Sequence, residues 1–326
     1  MTQSKRLIRL TIIALLVAGT LCHAQRDRAG IPSSGAVTAQ STAFVTDLSA
    51  ALKNPSQVRR LDLSGQNLTV LPDSIGLLAN LVELNLGRNK LTTLPASVGE
   101  LRNLDVLNIS NNNFNELPAA IRTMVHLDVL NFSNNPITTL DERAFSGLGN
   151  LKELRIDFIK ISALPTSLGS CLVLSTFSAE GNSLKSLPAF FSNLKLLKNI
   201  NVNDNEISVL ADAIFLLPDL ETLTISSNIL KGLPDGIGGS KLKTFEADSN
   251  GIESVPPSIG DCKSLERLSL VNNELTTLPK EIGKCKNLGF LDISGNDITS
   301  LPVRELASLP ALSVLRIANS PKMQKK

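Results

Sequence analysis

Two stretches of the sequence have side chains spaced like those of sites that bind charged ligands. Residues 236–241 read GIGGSK, yet they lack the full G-x-x-x-x-G-K-[ST] spacing whose backbone N–H groups hold a phosphate. Residues 201–212 read NVNDNEISVLAD and place asparagines at alternate positions, as the ligands of a calcium loop are placed. Glu206 stands where that loop needs glycine, and Asp212 stands where it needs glutamate. We therefore expect no nucleotide, no metal and no other cofactor.

Side chains for catalysis are scarce. The 326 residues include only 2 histidines, and neither G-x-S-x-G nor H-E-x-x-H occurs. The sequence therefore has almost no histidines from which to build a nucleophile–base pair or a histidine-based metal site. Carboxylates are plentiful, but no pattern orders them into a pocket, so the sequence predicts no catalytic residue and no enzyme.

The spacing of the leucines shows what positions the remaining side chains. A frame LxxLxLxxNxLxxLP recurs in twelve copies, the last cut short, at steps of 22 to 24 residues. The second half of each unit resembles LPxxIGxL, as in LPDSIGLL at 71–78 and LPKEIGKC at 278–285. Numbered 1 to 12, the repeats begin at Val58, Leu81, Leu104, Leu127, Leu151, Leu174, Leu197, Leu220, Leu242, Leu265, Leu288 and Leu312.

This pattern resembles the leucine-rich repeat family, and within it the 23-residue class found in secreted bacterial proteins, plant proteins and Ras suppressor proteins. The resemblance implies an α/β solenoid, a right-handed horseshoe with a parallel β-sheet on the concave face. Short helical, 3-10 or loop segments would form the convex face. It says little about function, because members of one fold carry different sites.

Alternation within each repeat supports the same fold without the family name. In LVELNLGRN (81–89), Leu84 and Leu86 fall on one side of a short strand, and Glu83 and Asn85 on the other. Stacked strands would bury the leucines in one continuous core. The ninth position is expected to bond the turn through its asparagine amide. It holds Asn89, Asn112, Asn135, Asn182, Asn205, Asn228, Asn250, Asn273 and Asn296.

Repeat 5 breaks this rule with Ile159 in LKELRIDFIKISALP (151–165). The loss of the asparagine predicts a turn that is bonded by water or reshaped. Phe158 then either packs over the gap or stands on the concave rim as a ligand anchor with Arg155, and the sequence leaves both readings open. A recurring glycine in the second half (Gly76, Gly99, Gly169, Gly238, Gly260, Gly283) indicates either a positive φ or close packing.

The ends of the chain differ from the repeats. Residues 1–24 combine a basic start, a short apolar run and a Cys-His-Ala site, which predicts a secretory signal peptide. Lipid anchoring through Cys22 is the rival interpretation. Residues 25–40 are predicted as a flexible leader, 41–57 as a capping helix with Ser41 as N-cap, 58–321 as the solenoid, and 322–326 as a basic tail. We expect a secreted, periplasmic or cell-surface protein without an integral membrane span.

Cysteine positions fit the core. Cys171, Cys262 and Cys285 occupy a position held elsewhere by leucine or methionine, so we interpret them as small core side chains. Cys262 and Cys285 lie one repeat apart, and a disulfide between them is left open. The chain is 42% hydrophobic with neither Trp nor Tyr, which suits a core of leucine and isoleucine. Its net charge of +2 shows neither a nucleic-acid footprint nor a polybasic membrane patch.

Binding function would lie on the outward strand positions, the third and fifth of each repeat. We predict a recognition module whose concave sheet binds a protein, with glycan or cell-wall binding and a purely structural surface role as alternatives. Oligomeric state is not indicated. Candidate partner-binding residues are Val106, Asn108, Val129, Asn131, Arg155, Phe158, Thr176, Ser178, Arg267 and Phe290. Arg267 and Phe290 hold the same outward position in consecutive repeats, so we expect the ring and the guanidinium to lie in contact on adjacent strands.

Overall fold

The computed structural model describes residues 43–318, so predictions for residues 1–42 and 319–326 lie outside the described part. One parallel sheet carries twelve strands in chain order, and each strand belongs to the repeat of the same number. The strands are β1 Arg60–Asp62, β2 Glu83–Asn85, β3 Val106–Asn108, β4 Val129–Asn131, β5 Glu153–Arg155, β6 Thr176–Ser178, β7 Asn199–Asn201, β8 Thr222–Thr224, β9 Thr244–Glu246, β10 Arg267–Ser269, β11 Phe290–Asp292 and β12 Val314–Arg316. The sheet is open, with β1 and β12 at its two ends, which confirms the predicted solenoid.

Short helices form the return path of most repeats. Three are α-helical: α1 Leu48–Ala51, α2 Asp212–Phe215 and α3 Val303–Ala307. The 3-10 helices are Pro55–Gln57, Asp73–Leu77, Ala96–Glu100, Ala119–Thr123, Thr166–Ser170, Ala189–Asn193, Asp235–Gly239, Pro257–Asp261 and Lys280–Lys284. The proline of the LP step supplies the N-cap of most of them, because its fixed φ ends the extended segment just before the helix. The core lies between these helices and the sheet.

The ninth-position asparagine ties neighbouring repeats together, as predicted. Asn89 donates from Nδ2 to the carbonyl oxygens of Leu63 in the previous repeat and Leu86 in its own, both at 2.9 Å. Its Oδ1 accepts the N–H of Leu68 at 3.0 Å. Asn89 is only 7% exposed, so these bonds satisfy backbone groups that water cannot reach.

The turn of repeat 5 is reshaped, which is one of the two outcomes predicted for it from the loss of the asparagine. Its side chain is fully buried, and its N–H donates to Oδ1 of Asn182 in the next repeat at 3.3 Å. Lys160 adopts a positive φ of 62°, a conformation shared at the tenth position only by Asn67, among the described residues. Asn67 follows Gln66 in repeat 1, which also lacks the asparagine, so a left-handed tenth residue accompanies its loss in both repeats. The isoleucine side chain is part of the core at this turn.

The recurring glycines are explained by close packing. None of the six has a positive φ. A Cβ atom on Gly76 would lie 2.8 Å from Cβ of Ser97, and one on Gly99 would lie 2.6 Å from Oγ1 of Thr123. Successive 3-10 helices thus stack at a distance that only glycine permits.

The N-terminal cap differs from the predicted helix over 41–57. Between residues 43 and 54, only Leu48–Ala51 (α1) form a helix. The N-cap of α1 is Asp47, whose Oδ1 accepts the N–H of Ala50 at 2.7 Å. Val45 is extended and pairs with Leu61 of β1. The free edge of β1 offers backbone partners that a helix at this point would leave unpaired, and this pairing wins over the helical spacing of Phe44, Leu48 and Leu52.

The three described cysteines are free, buried thiols. Cys262 donates to the carbonyl oxygen of Ile237 at 2.9 Å, and Cys285 to that of Ile259 at 3.1 Å. Burial raises the pKa of Cys171 and of Cys285 to about 12. The cysteines are therefore core side chains, as predicted, and the conceivable disulfide is not formed.

Candidate functional site on the concave sheet

The third and fifth residues of each repeat form the surface of the sheet. The fourth residue of the repeat is buried in β1 to β11, while the third residue of every repeat is at least partly exposed, as predicted from alternation. In β8, Leu223 is fully buried between half-buried Thr222 and Thr224. Most repeats thus offer two outward side chains on a strand. In β6, β10 and β11 the fifth residue, Ser178, Ser269 or Asp292, is itself buried, so there only the third residue is accessible.

The register divides most of the predicted residues into two groups. Val106 pairs with Val129 and Asn108 with Asn131, and the following strands carry Arg155, Thr176 and Ser178. Arg267 pairs with Phe290 four strands further along. At about 4.8 Å per strand, β6 and β10 lie about 19 Å apart. The residues thus form two patches on an extended surface and no single pocket.

Asparagines at the fifth position have a structural task. Asn85, Asn108 and Asn131 each accept, through Oδ1, the N–H of the residue two places later, at 3.0 to 3.1 Å. Asn108 also donates to Oδ1 of Asn85 at 2.9 Å. The side-chain oxygens of Asn108 and Asn131 therefore cap the backbone, and the Asn108 amide group also spends one hydrogen bond on Asn85. Their predicted role in binding stays a prediction.

Where the fifth position lacks Asn or Asp, the seventh position of the preceding repeat caps the same N–H group. Asp157 accepts the N–H of Glu180 at 2.9 Å, and Asp248 accepts that of Val271 at 2.8 Å. Ser133, Asn203 and Ser226 cap Asp157, Ser226 and Asp248 in the same way. The capping task is thereby moved off the fifth position in repeats 5, 6, 8, 9 and 10, which carry Arg155, Ser178, Thr224, Glu246 and Ser269 there.

The first patch of charged residues lies on β5 and β6. Arg155 Nε contacts Oε1 of Glu153 at 2.6 Å, and Asp157 accepts the hydroxyl of Ser178 at 2.6 Å. Phe158 is 44% exposed, and its ring covers Gly181, where a Cβ atom would collide with it. Its positive φ belongs to the frame, because every described eighth position has one. Phe158 is thus packed on one face and open on the other.

The second patch is a stack of charged groups around Phe290. The Arg267 guanidinium carbon lies 3.7 Å from the ring centroid, and that of Arg316 lies 5.3 Å from it. Each arginine has an acidic partner: Arg267 Nε contacts Glu246 at 2.6 Å, and Arg316 Nη1 contacts Asp292 at 3.6 Å. The predicted Arg267–Phe290 contact is confirmed as a cation–π pair.

Asp248 lies beneath this second patch. Burial raises its pKa, and the carboxylates of Glu246 and Asp292 raise it further, while hydrogen bonds from Ser269 and Val271 lower it. The Ser269 hydroxyl donates to Asp248 at 2.6 Å. The patch therefore combines an aromatic ring, two guanidinium groups and three carboxylates on one rigid surface.

Sequence reasoning missed Glu246, Asp248, Asp292 and Arg316 as members of this patch. A signal was present, since Asp at a seventh position is twice followed by Ser at the next fifth position: Asp157 with Ser178, and Asp248 with Ser269. The two residues of each pair are 21 positions apart in the chain, and they come into contact only when the repeats stack.

Family models match two parts of the chain, a "Leucine-rich repeat region" at residues 47–178 and "Leucine Rich repeats (2 copies)" at 263–305. These matches cover the frame that builds the sheet described above. The chain belongs to the leucine-rich repeat family.

Solved leucine-rich repeat structures share its fold. A TDR receptor is 29% identical, with 86% of this chain and 51% of that chain covered and a TM-score of 0.72. The Arabidopsis receptor kinase HAESA, in complex with the peptide hormone IDA and the co-receptor SERK1, is 28% identical over 81% of this chain and 46% of that one, with a TM-score of 0.69. An internalin from Listeria monocytogenes, 23% identical over 79% and 80% of the two chains with a TM-score of 0.63, shares the fold alone.

Curated relatives match over less than half of this leucine-rich repeat chain. A probable inactive serine/threonine-protein kinase, roco10 of Dictyostelium discoideum, is 28% identical over 139 residues, which are 40% of this chain and 5% of that protein. An adenylate cyclase of Schizosaccharomyces pombe is 30% identical over 141 residues, 42% of this chain and 8% of that protein. The matching segment is thus less than a tenth of each relative.

Proposed function

We propose that this chain is an exported, non-catalytic recognition module that binds a protein along its concave sheet. The observation that carries the proposal is the transfer of the capping task in repeats 5, 6, 8, 9 and 10. An Asn or Asp at the fifth position satisfies the turn by itself, as Asn85 does for Gly87. A chain that needed only a stable solenoid could use that residue in every repeat. Moving the task to the seventh position frees outward sites for Arg155 and Glu246, which suits a surface adapted to a partner.

Structural neighbours support a protein partner. The HAESA structure contains a peptide hormone and a co-receptor, and its similarity extends over 81% of this chain. A sheet of twelve strands at about 4.8 Å spacing is about 55 Å long, which fits an extended partner. No helix among residues 43–318 is long and apolar enough to cross a membrane.

The anchor of this interface is placed at Phe290 and Arg267. Binding energy concentrates in aromatic and arginine side chains near the centre of an interface. The pair lies on rigid strands, and the ion pair with Glu246 uses only Nε of Arg267, so the other N–H groups of the guanidinium are outside that contact. Phe290 is half-buried, which reduces the entropy lost when a partner covers it.

The test begins with capture of surface proteins from the native cell by the intact chain. Phe290→Ala is expected to weaken capture by at least about 1 kcal/mol, or roughly fivefold, with little change in melting temperature. Thr244→Ala, a polar site in the same column on the neighbouring strand β9, is the matched control. If Phe290→Ala and Arg267→Ala are neutral while Arg155→Ala or Phe158→Ala abolishes capture, the anchor lies on β5 and β6. Neutrality of all four rejects binding on the concave sheet.

Glycan binding is the second candidate, favoured by the polar floor between the two patches. Thr176, Asn199, Asn201, Thr222 and Thr224 are accessible polar residues of β6 to β8. Ser178 between them is buried, and the carboxylate of Glu180 accepts a hydrogen bond from Asn201 at 2.9 Å. Hydroxyl and amide groups suit sugars, but the chain has no Trp or Tyr on which a sugar ring could stack. Binding to a panel of immobilised polysaccharides without protein capture supports this candidate. Failure of both assays supports a purely structural surface component.

Export is tested separately from binding. Cleavage of residues 1–24 would give a native N-terminus at Gln25, which mass spectrometry of the native protein detects. An intact residue 1, or a diacylated Cys22, would contradict cleavage.

A further inference from the structure

A second surface, outside the concave sheet, lies at the turns that lead into the strands. The residue before the first leucine of a repeat is asparagine in several copies. Asn80, Asn103, Asn150 and Asn287 each donate Nδ2 to a carbonyl oxygen of the preceding repeat at 2.8 to 2.9 Å. The frame thus prefers a polar side chain here, because it links adjacent turns.

Repeats 6 and 7 replace this asparagine with Val173 and Leu196. Val173 is half-buried, whereas Leu196 is 45% exposed and Leu172, next to Val173, is 56% exposed. Val125, at the turn into β4, is 49% exposed. Two adjacent turns therefore give up an asparagine link and present aliphatic groups to solvent, which marks a surface built for contact.

Basic side chains surround these aliphatic groups. Exposed Lys152, Lys195 and Lys198 lie in repeats 5, 6 and 7, and Arg59 and Arg102 continue the edge towards the N-terminus. We call these five residues, with Val125, Leu172, Val173 and Leu196, the basic rim. Its five basic residues stand in five different repeats, so no basic run is visible in the sequence.

A groove of about 570 Å³ runs along the rim and contains Arg59, Arg102, Lys152 and Val173. Its carboxylates are Asp105 and Asp128, and Asp128 is neutralised by Lys152 at 2.6 Å. Exposed His126 also lines the groove. Three basic side chains, Arg59, Arg102 and Lys152, line the groove against these two carboxylates. Lys195 and Lys198 extend the rim beyond the groove, up to Asp219 and Glu221 of the following turn, so the rim carries a net positive charge.

We propose that the basic rim docks on an anionic lipid bilayer. Its exposed aliphatic groups lie at the turns between strands, beside exposed lysine and arginine side chains. A bilayer interface accepts protruding side chains one by one, while lysine and arginine pair with phosphate groups. This docking would leave the concave sheet free, so the inference does not depend on the proposed function.

The first test measures co-sedimentation of the full chain with vesicles of phosphatidylglycerol and phosphatidylcholine. Leu172→Ser with Leu196→Ser, and separately Lys195→Gln with Lys198→Gln, should each lower the partition coefficient on the order of tenfold. Val209→Ser with Leu216→Ser is the matched control, because these residues are 67% and 62% exposed elsewhere and should leave binding unchanged. Loss of binding in the control, or none in the rim variants, overturns the proposal.

The second test reads insertion at the rim itself. The chain has no tryptophan, so Leu196→Trp introduces a single indole fluorophore. Its emission should shift to the blue and be shielded from acrylamide when phosphatidylglycerol vesicles are added, whereas Val209→Trp should not respond. This local signal excludes attachment through residues 1–24 as the cause. Soluble glycerol phosphate should not reproduce the shift. Absence of a shift with vesicles, or a shift only with an acidic peptide such as oligoglutamate, overturns lipid docking.

Discussion

Replacing Leu223 by alanine should cost about 4 kcal/mol of unfolding free energy. The side chain is fully buried on β8, and the strands on either side place buried Ile200 and Phe245 directly against it. Loss of three carbon groups removes about 2.4 kcal/mol of transfer free energy, at about 0.8 kcal/mol each. A residual cavity of about 60 Å³ adds about 1.4 kcal/mol, because the flanking repeats hold the backbone in place.

Thr224→Ala on the outward side of the same strand is the control. It removes the hydrogen bond from Thr224 Oγ1 to Asn201 Oδ1, which measures 2.9 Å, and should cost about 1 kcal/mol. Urea unfolding followed by far-ultraviolet circular dichroism gives both values, since the chain lacks Trp and Tyr for fluorescence. Equal losses, or a loss below about 1 kcal/mol for Leu223→Ala, would refute the assignment of inside and outside positions.

Three further outcomes follow from the described contacts. Because burial raises the folded-state pKa of Asp248 above 3.8, the folded state holds its proton more tightly than the unfolded chain, so the free energy of unfolding should fall as pH rises from 3.8 through the folded-state pKa. Asp248→Asn should remove this pH dependence from urea unfolding measured at several pH values, and an unchanged pH profile would contradict the reasoning. Cys171 and Cys285, with pKa values raised to about 12, should resist iodoacetamide at pH 8 in the folded protein and react after unfolding, as peptide mapping shows; rapid native labelling would mean that the thiols are not buried. Gly181→Ala should lower the free energy of unfolding by about 1–2 kcal/mol because of its left-handed φ, and by more because the new Cβ collides with the Phe158 ring. Phe158→Ala should relieve the collision in a double-mutant cycle, and strictly additive losses would show that the ring does not cover Gly181.

The repeating frame made most of the architecture predictable. Leucines at fixed spacing can be buried only if the copies stack, so Leu84 and Leu223 were assigned to the core without a structure. The ninth-position asparagine was equally predictable, since a buried turn must satisfy its backbone groups. The N-terminal cap was not, because the helical spacing of Phe44 and Leu48 competes with the free edge of β1, which only the assembled sheet presents.

The sequence by itself determined which side chains face the core and which face outward, because alternation along a strand depends on neighbours in the chain. It also placed Arg267 beside Phe290, since equal positions in consecutive repeats must be adjacent. Only the tertiary structure decided that Asp248 caps Val271, that Arg316 joins the stack at Phe290, and that the basic rim exists. These contacts join different positions of different repeats. Their geometry depends on the curvature, the turn conformation and the side-chain rotamers of the stacked solenoid, which no single repeat contains.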